Sequence, residues 1–188
     1  MRVTGGVLSG RQVKMPGGVI RPAMDRMRES VFGALGDLTG FSFLDMFSGS
    51  GAIALEAASR GADPVEAVEM DILKRKTLID NVSISPVRIR CHFMAAELYV
   101  RRARKRFDII FCDPPFPYKF KWELAASIAA SPLMGPGSRL LMHRPKEEPR
   151  RATGPGVAQE NFVTQAEMLS YETSRVYGRS VVDFFKKI

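Results

Sequence analysis

Phe41-Ser42-Phe43-Leu44-Asp45-Met46-Phe47-Ser48-Gly49-Ser50-Gly51-Ala52-Ile53-Ala54 is the stretch that decides the fold. A short apolar run over 41–47 ends in Ser-Gly-Ser-Gly, and small residues over 52–60 follow with helical spacing. Strand, loop and helix are expected in that order. Gly49 and Gly51 carry no Cβ, so the backbone there can approach a ligand closely. The glycines alone do not name that ligand, because Gly49-Ser50-Gly51-Ala52-Ile53-Ala54 also fits the dinucleotide form G-x-G-x-x-A.

The same rhythm continues outward from the loop. A second strand is expected over 65–69, after which Asp71 caps a helix running to 82, with Lys74, Arg75 and Lys76 on its outer face. A third strand follows over 87–93, a helix over 95–106, a fully buried strand over 108–112, a helix over 122–130 and a strand over 138–143. This alternation predicts an α/β domain with a mostly parallel sheet. Residues 168–177 and 181–185 flank Gly178-Arg179-Ser180, which is a hairpin signal. Residues 1–22 read as a Gly-rich, basic arm, hairpin-like or partly mobile. Met27, Val31, Phe32 and Leu35 then mark a helix over 24–38 that packs on the main domain. The arm and its helix (1–38) are thus set apart from a domain over 39–188. Residues 144–161, rich in Pro and charge, are expected as an exposed loop.

The chain has 188 residues, a net charge of +8 and 45% hydrophobic residues. It can bury a core, which excludes a disordered tail or a disulfide-stapled miniprotein. No apolar run approaches the roughly 20 residues that span a bilayer, and the start lacks the apolar stretch of a signal peptide. A cytoplasmic protein with no membrane partner is expected. The basic surplus points to a polyanionic partner. Cys91 and Cys112 fall in expected strands without paired spacing and read as inert thiols. His92 and His143 end expected strands without metal-ligand spacing, so both read as structural and no metal is expected. Arg101-Arg102-Ala103-Arg104-Lys105-Arg106 suits a helix C-terminus through the helix dipole and suits phosphate contact equally.

The acids near the glycine loop narrow the ligand. Asp45 closes the first strand, where its charge would oppose a pyrophosphate but attract an α-ammonium group such as that of S-adenosylmethionine. At about 4 Å and an effective dielectric near 20 that attraction is worth around 4 kcal/mol before desolvation. The rival reading of Asp45 is a structural cap on the loop. Glu69 ends the second strand near the spacing at which an acid meets ribose hydroxyls, and Met70 beside it can flank an adenine or fill the core. No G-x-x-x-x-G-K-[ST] occurs, so a P-loop nucleotidase is excluded.

Asp113-Pro114-Pro115-Phe116 follows the buried strand and suggests the chemistry. Two prolines fix the backbone and remove two amide donors, so local carbonyls are expected to point outward without internal partners. An amino group on a nucleobase is a poor nucleophile because its lone pair is delocalised into the ring. If the Asp113 side chain and the Pro114 carbonyl accept its two protons, that lone pair turns toward an incoming methyl group. Phe116 offers a face on which a flipped-out base can stack, at roughly 1–3 kcal/mol per base.

These residues resemble the bacterial methyltransferases that modify guanine N2 in 16S ribosomal RNA, and the likeness covers nearly the whole chain. It is carried by Gly5-Gly6, Gly10-Arg11, the stretch Arg21-Pro22-Ala23-Met24-Asp25-Arg26-Met27-Arg28-Glu29-Ser30-Val31-Phe32, and Leu44-Asp45-Met46-Phe47-Ser48-Gly49-Ser50-Gly51. Leu55-Glu56-Ala57, Ser59-Arg60-Gly61, Val68-Glu69, the Asp113 tip and Tyr177-Gly178 complete it. The resemblance implies a Rossmann-like class I S-adenosylmethionine-dependent methyltransferase fold, with a seven-stranded sheet closed by an antiparallel hairpin. It also implies donor binding by Asp45, Phe47, Gly49, Gly51, Glu69, Met70 and Ala95, and amino-group handling by Asp113, Pro114 and Phe116. Ribosomal RNA or a small-subunit particle is the implied partner, held by Arg11, Arg21, Arg26 and Arg28.

Two positions depart from the family pattern. Ala23 replaces a usual Thr, and Met94-Ala95-Ala96 replaces a Gly-Asp-Ala, so the acid expected at 95 to meet the adenine amino group is missing. Glu97 or a backbone carbonyl is the expected substitute. Other readings are an adenine-N6 methyltransferase of DNA or RNA, a dinucleotide-dependent oxidoreductase, and a non-catalytic RNA-binding assembly factor.

Overall fold

The computed structural model describes residues 1–15, 22–148 and 168–188, with the backbone alone at 22–24. Arg21, the Ala23 side chain and residues 149–161 of the expected loop lie outside the described residues. The strands are β1 (Phe43–Met46), β2 (Val65–Val68), β3 (Ile89–His92), β4 (Ile109–Cys112), β5 (Arg139–Pro145), β6 (Leu169–Tyr177) and β7 (Ser180–Lys187). The helices are α1 (Pro22–Leu35), α2 (Ala52–Ser59), α3 (Arg75–Val82), α4 (Ala96–Arg102) and α5 (Lys121–Ala130). The seven-stranded sheet runs in the order β3-β2-β1-β4-β5-β7-β6, as the alternating pattern and the terminal hairpin signal predict. The chain divides into two compact units, Met1–Ala96 and Glu97–Ile188. The expected boundary at residue 38 falls within the first.

In the first unit β1, β2 and β3 pair in parallel, and every residue of β1 and β2 is buried. Strands covered on both faces read as continuous apolar runs, so these short segments were legible from sequence. The α2 sequence, Ala-Ile-Ala-Leu-Glu-Ala-Ala-Ser, is buried throughout. Small side chains let it pack closely, and alanine favours the helix. Its one acid, Glu56, is fully buried and bonded to Arg28 Nε at 3.1 Å, to Arg60 Nε at 3.0 Å and to the Thr4 N–H at 2.8 Å. That cluster ties the N-terminal arm to α2. The arm is hairpin-like as expected, with an Arg2–Gln12 bridge, and it buries Val3 and Val13. The Lys14 N–H donates to Asn81 Oδ1 at 2.9 Å, fastening its far end to α3.

In the second unit β4 and β5 pair in parallel, while β7 runs antiparallel to both β5 and β6. Two expectations change here. The helix α4 stops at Arg102, and the Ala103 N–H closes on the Val100 carbonyl. The chain then turns so that Phe107, fully buried, can donate its N–H to the Leu133 carbonyl at 2.9 Å. The second change is β5, which continues through Pro145 and takes Arg144 out of the expected exposed loop. Arg144 is buried because Asp183 on β7, itself fully buried, accepts from its Nε at 2.6 Å and its Nη2 at 3.3 Å.

Candidate active site

The first unit presents the glycine loop at the carboxyl ends of β1 and β2. Asp45 is fully buried, and its Oδ2 accepts the Ser48 hydroxyl at 2.5 Å and the Ala54 N–H at 3.1 Å. Ala54 is the third residue of α2, so a strand carboxylate satisfies one of the helix's orphan donors and meets its positive end. Asp45 thus caps the loop through Oδ2, and this bonding is compatible with an ammonium contact through its other oxygen. Negative charge at that helix start also opposes the pyrophosphate a dinucleotide would bring.

Glu69 is buried at the end of β2. Its Oε2 accepts the Gly49 N–H at 2.7 Å and its Oε1 accepts the Asp71 N–H at 2.8 Å. Each carboxylate oxygen has a second lone pair, so capacity remains for ribose hydroxyls. Met70 next to it is 69% exposed, which places an apolar surface beside the acid and removes the core reading.

The two glycines do different work. A Cβ on Gly51, at φ 80°, would meet Val82 Cγ1 at 3.0 Å, so this position keeps α3 close. A Cβ on Gly49, at φ 57°, would find nothing nearer than the Phe47 carbonyl at 3.9 Å. That side of the loop is therefore open. Phe47 itself holds φ 63°, a left-handed conformation that costs a non-glycine residue of order 1 kcal/mol or more. Ala95 lies just before α4 and offers no side-chain acceptor.

The second unit carries the Asp113 tip directly after β4. The Asp113 side chain is partly exposed, and its Oδ1 lies 2.5 Å from His143 Nδ1 on β5. Phe116 is 39% exposed and sets its ring edge against His143 at 5.6 Å between centroids. The expectation of outward, unpartnered carbonyls needs correction for most of the tip. The Pro115 carbonyl accepts the Tyr118 N–H at 2.8 Å, and Lys121 Nζ donates to the carbonyls of Phe116 at 3.0 Å and Tyr118 at 2.6 Å. Lys121 is buried and also pairs with Glu148 at 2.9 Å. The Pro114 carbonyl fits the expectation, since it accepts no hydrogen bond among the described residues.

Glu97, the side chain expected to substitute for the acid at 95, has one oxygen engaged. Its Oε1 accepts the Tyr118 hydroxyl. Burial first, and then this bond, push the Tyr118 phenol well above its usual range.

Among the four arginines expected on RNA, Arg11 and Arg26 are exposed. Arg28 is buried, with Asp25 at 3.1 Å as well as Glu56, so it is a structural cation and not a phosphate contact. Sequence reading missed its role because the partner lies on another helix. Lys121 escaped notice for the same reason, and His143 was read as structural without its partner Asp113. The signal that could have found His143 is sheet register, since Cys112 pairs with Met142 and the next residues are Asp113 and His143. Among the described residues no cluster of His, Cys, Asp or Glu could hold a metal ion.

Several known proteins resemble this chain. Ribosomal RNA small subunit methyltransferase D of Escherichia coli K12 is 34% identical over 119 residues, 62% of this chain. That match spans 60% of the relative's own length. The tRNA1(Val) (adenine(37)-N6)-methyltransferase of Cytophaga hutchinsonii is 33% identical over 90 residues, covering 46% of this chain and 38% of that protein. The solved structure of the candidate methyltransferase yhhF from Escherichia coli superposes with a TM-score of 0.83 at 26% identity, covering 100% of this chain and 97% of the other. The fold is the Rossmann-like class I methyltransferase fold, as the sequence reading expected. With its family profile matched over residues 1–185, the chain belongs to the family described as conserved hypothetical protein 95.

Proposed function

We propose that the chain transfers a methyl group from S-adenosylmethionine to the exocyclic N2 amino group of a guanine in small-subunit ribosomal RNA. S-adenosylmethionine supplies a methyl group activated on a sulfonium, which leaves as a neutral thioether. The glycine loop suits this donor better than a dinucleotide, because Gly49 faces open space while Asp45 fills the helix start with negative charge. Glu69 is assigned to the ribose hydroxyls, and Met70 and Phe47 to the donor's apolar surfaces. Ala95 leaves the adenine amino group one acceptor short, a loss of about 1 kcal/mol.

The observation that carries the reading is the Asp113-Pro114 tip, with a partly exposed carboxylate beside a carbonyl that has no donor among the described residues. Two such acceptors can take both amino protons. The nitrogen lone pair is then withdrawn from conjugation with the ring and bonds to the methyl carbon as the carbon–sulfur bond breaks. One N–H proton departs afterwards, so the product amine is neutral. Phe116 supplies the stacking face. Arg11 and Arg26, together with Arg21, are assigned to RNA phosphates.

A second reading, adenine N6 as acceptor, is favoured by the named activity of the Cytophaga relative. Both amino groups fit the same pair of acceptors. The deciding experiment incubates the protein and deuterated donor with unmodified small-subunit particles, naked 16S RNA and tRNA, then digests the products for nucleoside mass spectrometry. Labelled N2-methylguanosine from the particle or its RNA is expected. Labelled N6-methyladenosine would transfer the reading to adenine, and no labelled nucleoside would reject both.

A further inference from the structure

We infer that His143 is a positioning residue for methyl transfer, holding Asp113 through Nδ1 so that the second carboxylate oxygen stays available to the acceptor amino group. This role rests on the reading of the tip given above. It goes beyond the Asp-Pro-Pro-Phe motif, because His143 lies on a different strand, 30 residues further along the chain.

The hydrogen-bond inventory sets the direction of the contact. His143 Nδ1 lies 2.5 Å from Asp113 Oδ1, and the imidazole side chain is only 5% exposed. Its other nitrogen, Nε2, is buried and has no partner among the described residues. A neutral ring carries one proton. Buried N–H groups without acceptors are rarer than acceptors lacking a second donor. The proton therefore belongs on Nδ1, where it is donated to Asp113. Protonation of Nε2 instead would leave a buried donor without an acceptor among the described residues and set two acceptors against each other.

This donation leaves Asp113 with one oxygen engaged and the other without a protein donor among the described residues. An aspartate side chain at a strand end would otherwise rotate about its χ1 and χ2 torsions. The same imidazole meets the edge of Phe116 at 5.6 Å and 64°. One buried ring thus orients the acceptor and supports the stacking face, and preorganisation of both saves reorganisation when the base arrives. The parallel register of β4 and β5 makes this possible, because Cys112 pairs with Met142 just before the two residues leave the ladder.

Three replacements separate this role from mere packing. His143→Asn keeps an N–H donor near the Nδ1 position, His143→Gln moves the donor outward toward Nε2, and His143→Leu removes it. Methyl transfer to unmodified small-subunit particles and calorimetric binding of S-adenosylhomocysteine are measured for each. The Leu and Gln variants are expected to lose about 10- to 100-fold in kcat, the range for a hydrogen bond to a charged group. Donor-product affinity should stay within about twofold, and Asn should restore kcat to within about threefold of the parent. A Leu variant as fast as the parent, or an Asn variant no better than Leu, overturns the role.

A readout independent of turnover is 15N NMR of the imidazoles, which is tractable because the chain holds 2 histidines. The parent should show His143 protonated on Nδ1, and Asp113→Ala should release that preference. A parent ring protonated on Nε2 overturns the role whatever the kinetics show. Absence of methyl transfer by the parent protein would reject the proposed function and this role with it. Transfer unaffected by His143→Leu rejects only the positioning role.

Discussion

Glu69 Oε2 accepts the Gly49 N–H at 2.7 Å, so the acid that closes β2 holds the loop that follows β1. Its other oxygen accepts the Asp71 N–H at 2.8 Å, which joins two loops through one carboxylate. Asp71 in turn accepts the Leu73 N–H at 3.0 Å and starts the turn leading into α3. The acid proposed to bind the donor is thus also a loop brace.

Replacing Glu69 by Ala should therefore act twice. Loss of a charge-assisted bond costs about 1.5–3 kcal/mol, so S-adenosylhomocysteine affinity should fall about 10- to 100-fold and the unfolding temperature should drop as well. Isothermal calorimetry and thermal unfolding read the two effects separately. Unchanged affinity would take Glu69 out of the donor set.

The glycines of the loop should part in their consequences. Gly51→Ala forces a Cβ to within 3.0 Å of Val82 Cγ1 and should cost stability chiefly. Gly49→Ala meets no such neighbour, so its stability loss should stay near 1 kcal/mol, the cost of a left-handed alanine, while donor binding falls far more. Paired urea titrations with and without S-adenosylhomocysteine would show this. Equal ligand stabilisation of both variants would contradict the assignment of the open side to the donor.

The arginines of the N-terminal region should divide the same way. Arg28→Ala leaves Glu56 buried with Arg60 as its remaining cation, and should destabilise the fold by about 3 kcal/mol. Arg11→Ala and Arg26→Ala, both at exposed positions, should leave the unfolding temperature alone. Each should weaken RNA binding and lower the salt slope by about one phosphate contact. Filter binding across a salt series checks it, and an unchanged slope would remove that arginine from the interface.

Cys91 supplies a pH dependence with a definite sign. Burial first, and then the nearby Asp45 carboxylate, push its thiol up to about 11 from an ordinary 9.0. The unfolded thiol ionises first as pH rises, so the stability present below pH 9.0 is lost progressively toward 11. Urea midpoints should fall more steeply over that window for the parent than for Cys91→Val. At pH 8 only about 0.1% of the native thiol is ionised, and iodoacetamide should label it far more slowly than the unfolded chain. Matching rates would mean the thiol is not shielded.

Much of the fold could be read along the chain because its signals are local. Apolar runs mark β1, β2 and β4, alanine-rich spacing marks α2, Asp71 marks the turn into α3, and Gly178-Arg179 marks the β6–β7 hairpin. Each depends on residues a few positions apart. The glycine loop and the Asp113 tip were legible for the same reason, as were the residue types that suit a methyl donor and an amino acceptor.

The partners of the buried polar side chains were not legible. Arg28 on Glu56, Arg144 on Asp183, Lys121 on the tip carbonyls and His143 on Asp113 all depend on which elements become neighbours and in what register. A charged residue in a sequence looks the same whether water or a buried carboxylate will surround it. Burial makes the difference, since a polar group removed from water must find its partner inside the protein, and only the packed chain determines which partner is within reach.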